Sequence, residues 1–307
     1  MNNLIVDGVT KRYDKVVAVN NVSFQAQPGR ILGLLGPNGA GKTSSIRMIT
    51  YITIPDEGQI TIDGKRVGAW SQQRMGYLPE ERGLYRKLKV GEQLTYFGEL
   101  KGLSRKDAVT TAKRWLKRFD ALDWFNRKTM ELSKGMQQKV QFIATILHDP
   151  ELLILDEPYG GLDPINSELL TDVIMELKSE GRIILFASHR MEQVEQLCDD
   201  ICMISSGKIV LDGPLREVKR RFGKNTVQLD FEGPDGFLDQ LEGDGLVHVS
   251  LRSRAHAELR LAEGTRPKAV LERVVGAVDE ITRFELVEPP LRDIFVQVAG
   301  KREEVAA

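Results

Sequence analysis

Residues 36–43 read Gly-Pro-Asn-Gly-Ala-Gly-Lys-Thr, GPNGAGKT, and directly follow the apolar run ILGLL at 31–35. The stretch fits the pattern G-x-x-x-x-G-K-[ST], and it lies between an apolar strand and the helical segment SSIRMIT, as this pattern requires. Glycines allow consecutive backbone N–H groups to face inward, where they form a nest for anionic oxygens at a helix N-terminus. The stretch therefore predicts a phosphate-binding loop in a protein of the α/β class.

The side chains of this loop have distinct predicted roles toward a nucleoside triphosphate. The Lys42 ammonium is expected to neutralise charge on the β- and γ-phosphates during catalysis, and the Thr43 hydroxyl is expected to ligate Mg²⁺. The residues expected to surround the phosphates are Gly36, Pro37, Asn38, Gly39, Ala40, Gly41, Lys42, Thr43 and Ser44. The alternative is an ordinary glycine-rich turn, which needs neither this lysine nor the hydroxyl beside it.

Two acidic residues end a second buried strand. The run LLIL at 152–155 is typical of a parallel core strand, and Asp156 and Glu157 follow it directly. Asp156 is expected to face the metal, and Glu157 is expected to polarise the attacking water as a general base. A strand-ending acidic turn is the alternative, but the phosphate loop earlier in the chain favours the catalytic interpretation.

Composition limits the classes of partner. The chain has 43 Lys and Arg against 44 Asp and Glu, so its net charge of −1 gives no sign of a nucleic-acid partner. No stretch approaches the roughly 18 uninterrupted apolar residues of a membrane-spanning helix, and the N-terminus lacks a signal pattern, so we expect a cytoplasmic location. Cys198 and Cys202 lie where a helix gives way to the strand ICMI, and we expect both to be buried structural residues.

The order of predicted elements indicates two domains. Apolar residues alternate with polar ones in LIVDGV, VSFQA and QITIDGKRV, which predicts an antiparallel β subdomain beside the α/β core. A helical subdomain is expected at about 85–150. These elements make up a predicted first domain at 1–222. Residues 225–307 follow the order β-α-β-β-α-β, which predicts a small α+β domain of ferredoxin-like type. The terminal KREEVAA is expected to be a solvated tail.

The segment LSKGMQQK at 132–139, shortly before the Asp-Glu pair, resembles the signature Leu-Ser-Gly-Gly-Gln of the ATP-binding cassette (ABC) family. The resemblance implies the ABC cassette fold, a P-loop NTPase with ATP and Mg²⁺ as cofactors. It also implies a head-to-tail dimer in which Ser133 and Gly135 bind the ATP held by the other protomer. The alternative for Ser133 is a plain helix N-cap.

Other positions carry the resemblance further. Tyr13 resembles the aromatic residue that stacks on adenine, although it could equally be a half-buried surface residue. In GGLDP, Asp163 resembles the aspartate that spans the dimer interface, or it caps its helix. His189, which follows the strand IILFA, resembles the histidine placed on the γ-phosphate.

The chain departs from the usual family pattern at two positions. It has Glu80 in PEERGLY where the family usually has Gln, and Lys134 where the signature has Gly. The resemblance implies that Glu80 takes the catalytic, metal-binding position between Mg²⁺ and the attacking water. An anion there would repel the γ-phosphate unless a metal or a proton intervened. PEERGLY and the C-terminal extension resemble the bacterial sodium- or drug-efflux, NatA-like, branch of the family.

The resemblance implies the ATP-hydrolysing subunit of a transporter of the exporter type, acting on a separately encoded membrane permease at the inner face of the membrane. The second protomer is either another copy of the chain or a paralogous subunit. A non-transport ABC ATPase acting on ribosomes or DNA is the alternative, and an ATP sensor without turnover is a third. The permease is expected to dock at 81–94 through Leu84, Tyr85, Leu88 and Val90, unless these residues pack inside the helical subdomain.

Overall fold

The structure is a computed structural model that describes residues 3–81 and 83–306, with side chains described as far as residue 298. The chain forms two compact units, Met1–Gly213 and Pro214–Ala307. The division predicted between residues 222 and 225 stays a prediction. Arg82, which belongs to PEERGLY and to the expected docking segment, lies outside the described residues.

The first unit contains both strands and helices. Its strands are β1 (Leu4–Tyr13), β2 (Val16–Ala26), β3 (Ile31–Leu35), β4 (Glu57–Ile62), β5 (Lys65–Arg66), β6 (Met75–Leu78), β7 (Leu152–Asp156), β8 (Ile183–Ser188), β9 (Asp200–Ser205) and β10 (Lys208–Pro214). Its helices are α1 (Lys42–Ile49), α2 (Ala69–Gln72), α3 (Val90–Leu100), α4 (Arg105–Arg118), α5 (Lys134–Ile146), α6 (Pro164–Ser179) and α7 (Met191–Leu197). Short 3₁₀ helices cover Leu122–Asn126 and Thr129–Glu131.

A mainly parallel sheet with strand order β10-β9-β3-β8-β7-β6 forms the centre of the first unit. Strands β3, β7 and β8 are buried along their whole length, which explains why they read as continuous apolar runs. Strand β8 pairs in parallel with both β3 and β7, so the ends of the three strands lie along one edge of the sheet. This edge brings the residues after Leu35, Asp156 and Ser188 together, and the predicted α/β core is confirmed.

The predicted antiparallel strands also form, in a sheet of order β2-β1-β4-β5. Asp63 and Gly64 join β4 to β5 with φ of 56° and 73°, the left-handed conformation of a tight hairpin turn. The same sheet approaches the glycine loop, since the carbonyl oxygen of Ala18 in β2 lies beside Gly41. The β sheet therefore supports the loop.

Helices α3, α4 and α5 contact one another and form the predicted helical region. Helix α4 is capped by Ser104, whose Oγ accepts a hydrogen bond from the N–H of Asp107 at 3.2 Å. Val90, the first residue of α3, is fully buried, so its predicted place in a docking surface is wrong. Tyr85 and Leu88 are exposed and Leu84 is half-buried, so the alternative of internal packing applies to Val90 and in part to Leu84.

The second unit has the predicted order β-α-β-β-α-β. It contains α8 (Leu215–Arg221), β11 (Thr226–Glu232), α9 (Phe237–Gly243), β12 (Val247–Arg252), β13 (His256–Leu261), α10 (Pro267–Val275), β14 (Glu280–Val287) and α11 (Leu291–Ala306). The strands pair antiparallel in the order β12-β13-β11-β14 over a core that includes Phe231 and Phe237. Helix α11 was not predicted, and it includes most of the expected tail KREEVAA, whose side chains lie outside the described part.

The two cysteines behave as predicted. Both are free, Cys198 and Cys202 are buried, and burial raises the pKa of both thiols. Among the described residues we find no helix with the length and apolar character needed to cross a bilayer.

Candidate nucleotide-binding site

The glycine loop between β3 and α1 depends on glycine at two positions. Gly36 and Gly41 have φ of 147° and 110°, which L side chains rarely adopt. A Cβ at Gly36 would lie 2.1 Å from the carbonyl oxygen of Ile204, and a Cβ at Gly41 would lie 2.5 Å from that of Ala18. Neighbouring strands therefore press on the loop from two sides and hold its backbone in one path.

Lys42, the first residue of α1, lies over this loop. Its Nζ donates to the carbonyl oxygens of Gly36 at 2.6 Å and Pro37 at 3.0 Å. Burial lowers the pKa of Lys42, against the opposing effect of the negative charges of Glu157, Asp156 and Glu80. The ammonium thus lies close to the acidic end of the sheet.

The N-terminus of α1 suits an anion. Gly41 caps the helix without any side-chain hydrogen bond, and the first turn contains no acidic residue. Thr43 is exposed and Ser44 is half-buried. The first backbone N–H groups and the Thr43 hydroxyl are therefore available to phosphate oxygens and a cation.

Asp156 ends β7 with only 4% of its surface exposed. Burial raises the pKa of Asp156 to about 6, with further contributions from the charges of Glu80 and Glu157 and an opposing one from Lys42. Carboxylates that lack a compensating cation behave in this way, and Mg²⁺ prefers one or two carboxylates together with phosphate oxygens. The oxygen donors of Asp156, Glu80 and Thr43 therefore fit a magnesium ion.

Glu157 has φ of 49°, and its side chain is held by the last residue of β8 and the residue that follows it. Its Oε1 accepts a hydrogen bond from the backbone N–H of His189 at 2.7 Å and lies 2.6 Å from Nδ1 of the same residue. Its Oε2 accepts from the Ser188 hydroxyl at 3.1 Å. The structure thus brings together two residues predicted from separate motifs.

Glu80, Glu157 and His189 share one pocket of about 180 Å³. The other lining residues are Gln138, Tyr159, Gly160, Arg190 and Gln193. The pocket is therefore large enough for a few water molecules beside the carboxylates.

Two buried glutamines of α5 support this pocket, and the sequence interpretation did not include them. Gln141 Nε2 lies 3.2 Å from the carbonyl oxygens of both Pro79 and Glu81, on either side of the exposed Glu80. Gln138 Nε2 donates to the carbonyl oxygen of Pro158 at 2.9 Å. The only sequence signal was the repeated glutamine in GMQQKVQ, which does not reveal what the amides contact.

Ser133, Gly135 and Asp163 lie at the starts of α5 and α6. Ser133 is exposed, and its Oγ accepts from the N–H of Met136 at 3.2 Å. A Cβ at Gly135 would lie 2.9 Å from the carbonyl oxygen of Gly161, so the two predicted loops are in close contact.

Asp163 is exposed and caps α6 by accepting from the N–H of Asn166 at 2.9 Å, which lowers the pKa of Asp163. In the described part of the chain, no hydrogen bond joins Ser133, Gly135 or Asp163 to the glycine loop. The roles assigned to these three residues stay predictions.

Tyr13 ends β1 with 38% of its surface exposed, and the Lys11 ammonium lies 5.7 Å from its ring centroid. The hairpin that carries Tyr13 also carries Ala18, which contacts the glycine loop at Gly41. Its ring is thus accessible on the sheet that supports the loop, and its stacking on adenine stays a prediction.

Comparison with known families agrees with this geometry. A family model described as "ABC transporter" matches residues 19–160, and a second, described as "ATP-binding protein DrrA1-3-like, C-terminal domain", matches residues 213–299. A solved structure described as an ATP-binding subunit of an ABC transporter has a TM-score of 0.68 and 30% identity, covering 78% of this chain and 98% of its own.

Three bacterial proteins are similar in sequence to this chain. The uncharacterised ABC transporter ATP-binding protein YhaQ of Bacillus subtilis is 43% identical over 97% of this chain and 98% of its own length. The ABC transporter ATP-binding protein NatA of the same species is 42% identical over 66% of this chain and 84% of its own. The Nod factor export ATP-binding protein I of Burkholderia pseudomallei is 32% identical, with 95% of each chain covered.

The chain therefore belongs to the ATP-binding proteins of ABC transporters, and it is an ATPase of this class. Its relatives include NatA, and its C-terminal region matches the DrrA-like model, which confirms the predicted NatA-like branch.

Proposed function

We propose that this ATPase binds MgATP between two protomers and hydrolyses it to drive export through a separate membrane permease. The observation that carries the proposal is the distance of 2.6 Å between Oε1 of Glu157 and Nδ1 of His189. The charges of Glu157 and Asp156 also act on the Lys42 ammonium. A base, a cation and a metal-binding carboxylate at one sheet edge are the groups that phosphoryl transfer to water needs.

In this mechanism Glu157 accepts a proton from the attacking water while its orientation is held by His189. Lys42 exchanges its bonds to Gly36 and Pro37 for bonds to the β- and γ-phosphates. The N–H groups at the start of α1 bind the same phosphate oxygens. Each contact stabilises charge that moves toward the leaving phosphate in the transition state.

Mg²⁺ would be held by Thr43 and Asp156, with Glu80 beside the attacking water, and when bound it neutralises negative charge on the phosphates. The raised pKa of Asp156 supports this assignment, because a bound cation would offset both the burial of this carboxylate and its repulsion by Glu80 and Glu157. The bound cation would also reduce the repulsion between the Glu80 carboxylate and the γ-phosphate.

The second protomer supplies Ser133, Gly135 and Asp163 to the ATP bound on the first. All three lie at helix starts that are exposed or half-exposed, and among the described residues no hydrogen bond joins them to the glycine loop of their own chain. A helix N-terminus attracts anions. The second protomer is another copy of this chain or a paralogous subunit.

The permease docks near Tyr85, which is 52% exposed and whose ring contacts those of Tyr96 and Phe97 at centroid distances of 6.3 and 6.1 Å. Leu88 is also exposed, and it is followed by the buried start of α3. An exposed aromatic cluster surrounded by charged residues is typical of an interface centre. Docking here would attach the ATPase to the inner face of the membrane.

Ser133 provides the test of the shared site, because Ser104 is a matched control. Both serines cap a helix by accepting an N–H at 3.2 Å, but Ser104 starts α4, away from the proposed site. Ser133→Ala should lose most of the ATPase activity, whereas Ser104→Ala should lose only about 1 kcal/mol of stability. Equal activity of the two variants would mean that Ser133 is a helix cap alone.

A mixing experiment then tests the second protomer. Lys42→Ala and Ser133→Ala should each be inactive alone, since each breaks both shared sites of its dimer. A mixture should regain activity, because one site of each mixed dimer is intact. A mixture that stays as inactive as its parents contradicts the head-to-tail arrangement.

A further inference from the structure

The backbone of Glu157 is fixed, so its side-chain contacts decide where its carboxylate points. Its N–H donates to the carbonyl oxygen of Ala187 at 3.0 Å, and its own carbonyl oxygen accepts from the N–H of Gly160 at 3.1 Å. With φ at 49°, the main chain turns sharply away from β7. The remaining freedom lies in the side chain.

The two carboxylate oxygens of Glu157 are occupied unequally. Each has two lone pairs. Oε1 faces two donors, the N–H of His189 and its Nδ1 when that nitrogen is protonated. Among the residues whose side chains are described, Oε2 has one donor, the Ser188 hydroxyl at 3.1 Å. Oε2 therefore keeps a lone pair for a further donor, such as the attacking water.

Ser188 is well placed to control Oε2. It ends β8, between β7 and β3, opposite Leu35, and its surface is 0% exposed. Its Oγ accepts from the N–H of Arg190 at 3.1 Å, which directs the hydroxyl proton away from that N–H. A buried hydroxyl in this position has few other donors or acceptors to choose from.

Gln193 is the competing acceptor. Its Oε1 lies 3.4 Å from the Ser188 Oγ, against 3.1 Å for Glu157 Oε2. A hydroxyl has one proton, and a charged acceptor at a shorter distance forms the stronger hydrogen bond. The Ser188 hydroxyl therefore donates its hydrogen bond to Oε2 of Glu157.

We propose that Ser188 is a positioning residue that holds Oε2 of Glu157 as the oxygen that receives the proton of the attacking water. The proposal rests on the proposed function, in which Glu157 is the general base. The sequence offered only the serine next to His189 in ASHR, and nothing in that pattern says where the hydroxyl points.

Kinetics of Ser188 variants test the proposal. Ser188→Ala should lower kcat by about 10-fold or more, the loss expected for one hydrogen bond to a charged group, and should leave the KM for ATP within about twofold. Ser188→Thr should retain far more activity than Ser188→Val, since the two differ in the hydroxyl but not in size. Ser71→Ala is the control, because Ser71 is equally buried and bonds to Gly68 at 2.7 Å away from the site.

A second readout needs no nucleotide. In the nucleotide-free protein, Ser188→Ala and Glu157→Ala should shift the unfolding temperature non-additively, because each removes one partner of the same hydrogen bond. Ser71→Ala with Glu157→Ala should be additive. This measurement detects the contact without depending on turnover.

The outcomes separate the two proposals. If Glu157→Gln abolishes turnover while Ser188→Ala and Ser188→Val match the wild type, the positioning role is wrong and the proposed base stands. If Glu157→Gln turns over normally, the proposed base itself is wrong. Additive unfolding shifts would also overturn the role given to Ser188.

Discussion

Oε1 of Glu157 lies 2.6 Å from Nδ1 of His189, and the backbone N–H of His189 donates to the same oxygen at 2.7 Å. One residue thus contacts the carboxylate through both its main chain and its ring. His189→Ala would keep the first contact and lose the second. We expect kcat to fall by about 10²-fold with little change in nucleotide affinity.

His248→Ala is the control for this variant. His248 Nδ1 makes a similar contact, 2.8 Å from Oε1 of Glu242, but in the second unit. Its ATPase rate should equal that of the wild type. A His189→Ala variant as active as His248→Ala would show that the ring has no part in hydrolysis.

Lys42→Ala should weaken nucleotide binding steeply, because it removes the ammonium above the glycine loop and leaves only backbone N–H groups to bind phosphate. The dissociation constant for MgATP, measured by titration calorimetry, should rise at least about 10-fold, the loss of one charged hydrogen bond. Agreement within twofold between variant and wild type would rule out the role given to Lys42.

The raised pKa of Asp156 predicts that the stability of the protein depends on pH when metal and nucleotide have been removed. Because burial raises the pKa of Asp156 from 3.8 to about 6, the folded state holds a proton that the unfolded state releases. Wild-type stability is therefore lost as pH rises from about 4 to about 6, by about 3 kcal/mol at most. Asp156→Asn cannot titrate, so its unfolding temperature relative to wild type should increase over this range and then level off.

Asp163→Asn is the matched control, since capping of α6 lowers the pKa of Asp163. Its contribution to stability is present above the unfolded pKa and is lost only at lower pH, so the variant should show no relative gain between about pH 4 and 6. If Asp156→Asn behaves like Asp163→Asn, burial does not raise the pKa of the Asp156 carboxyl group as described.

The sequence was most informative where a local pattern has one structural solution. GPNGAGKT predicted a loop whose glycines meet the carbonyl oxygens of Ile204 and Ala18 at distances that no side chain allows. The apolar runs that became β7 and β8 were equally clear, because buried parallel strands leave little room for polar residues.

Contacts between residues far apart in the chain could not be predicted from local sequence patterns. Nothing in GMQQKVQ indicates that Gln141 bonds to the backbone around Glu80, some 60 residues earlier in the chain. Val90 was assigned to a surface although it is buried, because a short apolar segment without periodicity fits a core or an interface equally well. Helix α11 was missed although Leu291 and Ile294 are fully buried.

Tyr85→Ala should fold, bind ATP normally and lose co-purification with the permease. An aromatic residue at an interface centre commonly contributes about 2 kcal/mol, equivalent to roughly 30-fold in affinity. Tyr85→Phe is the control, since it keeps the ring that contacts Tyr96 and Phe97. Full retention of the permease by Tyr85→Ala would place the docking site elsewhere, and unfolding would show that the contacts of the Tyr85 ring with Tyr96 and Phe97 are needed for the fold.

The role of Glu157 as general base is tested most directly by single-turnover hydrolysis by Glu157→Gln in the presence of Mg²⁺. The amide keeps the shape of the side chain but cannot take a proton from water. We predict that the variant binds ATP as tightly as wild type, hydrolyses it at least about 10²-fold more slowly, and elutes in gel filtration as a dimer that retains unhydrolysed ATP. Wild-type turnover by this variant, or ATP bound only to monomers, would contradict the proposal that Glu157 is the general base of a site shared by two protomers.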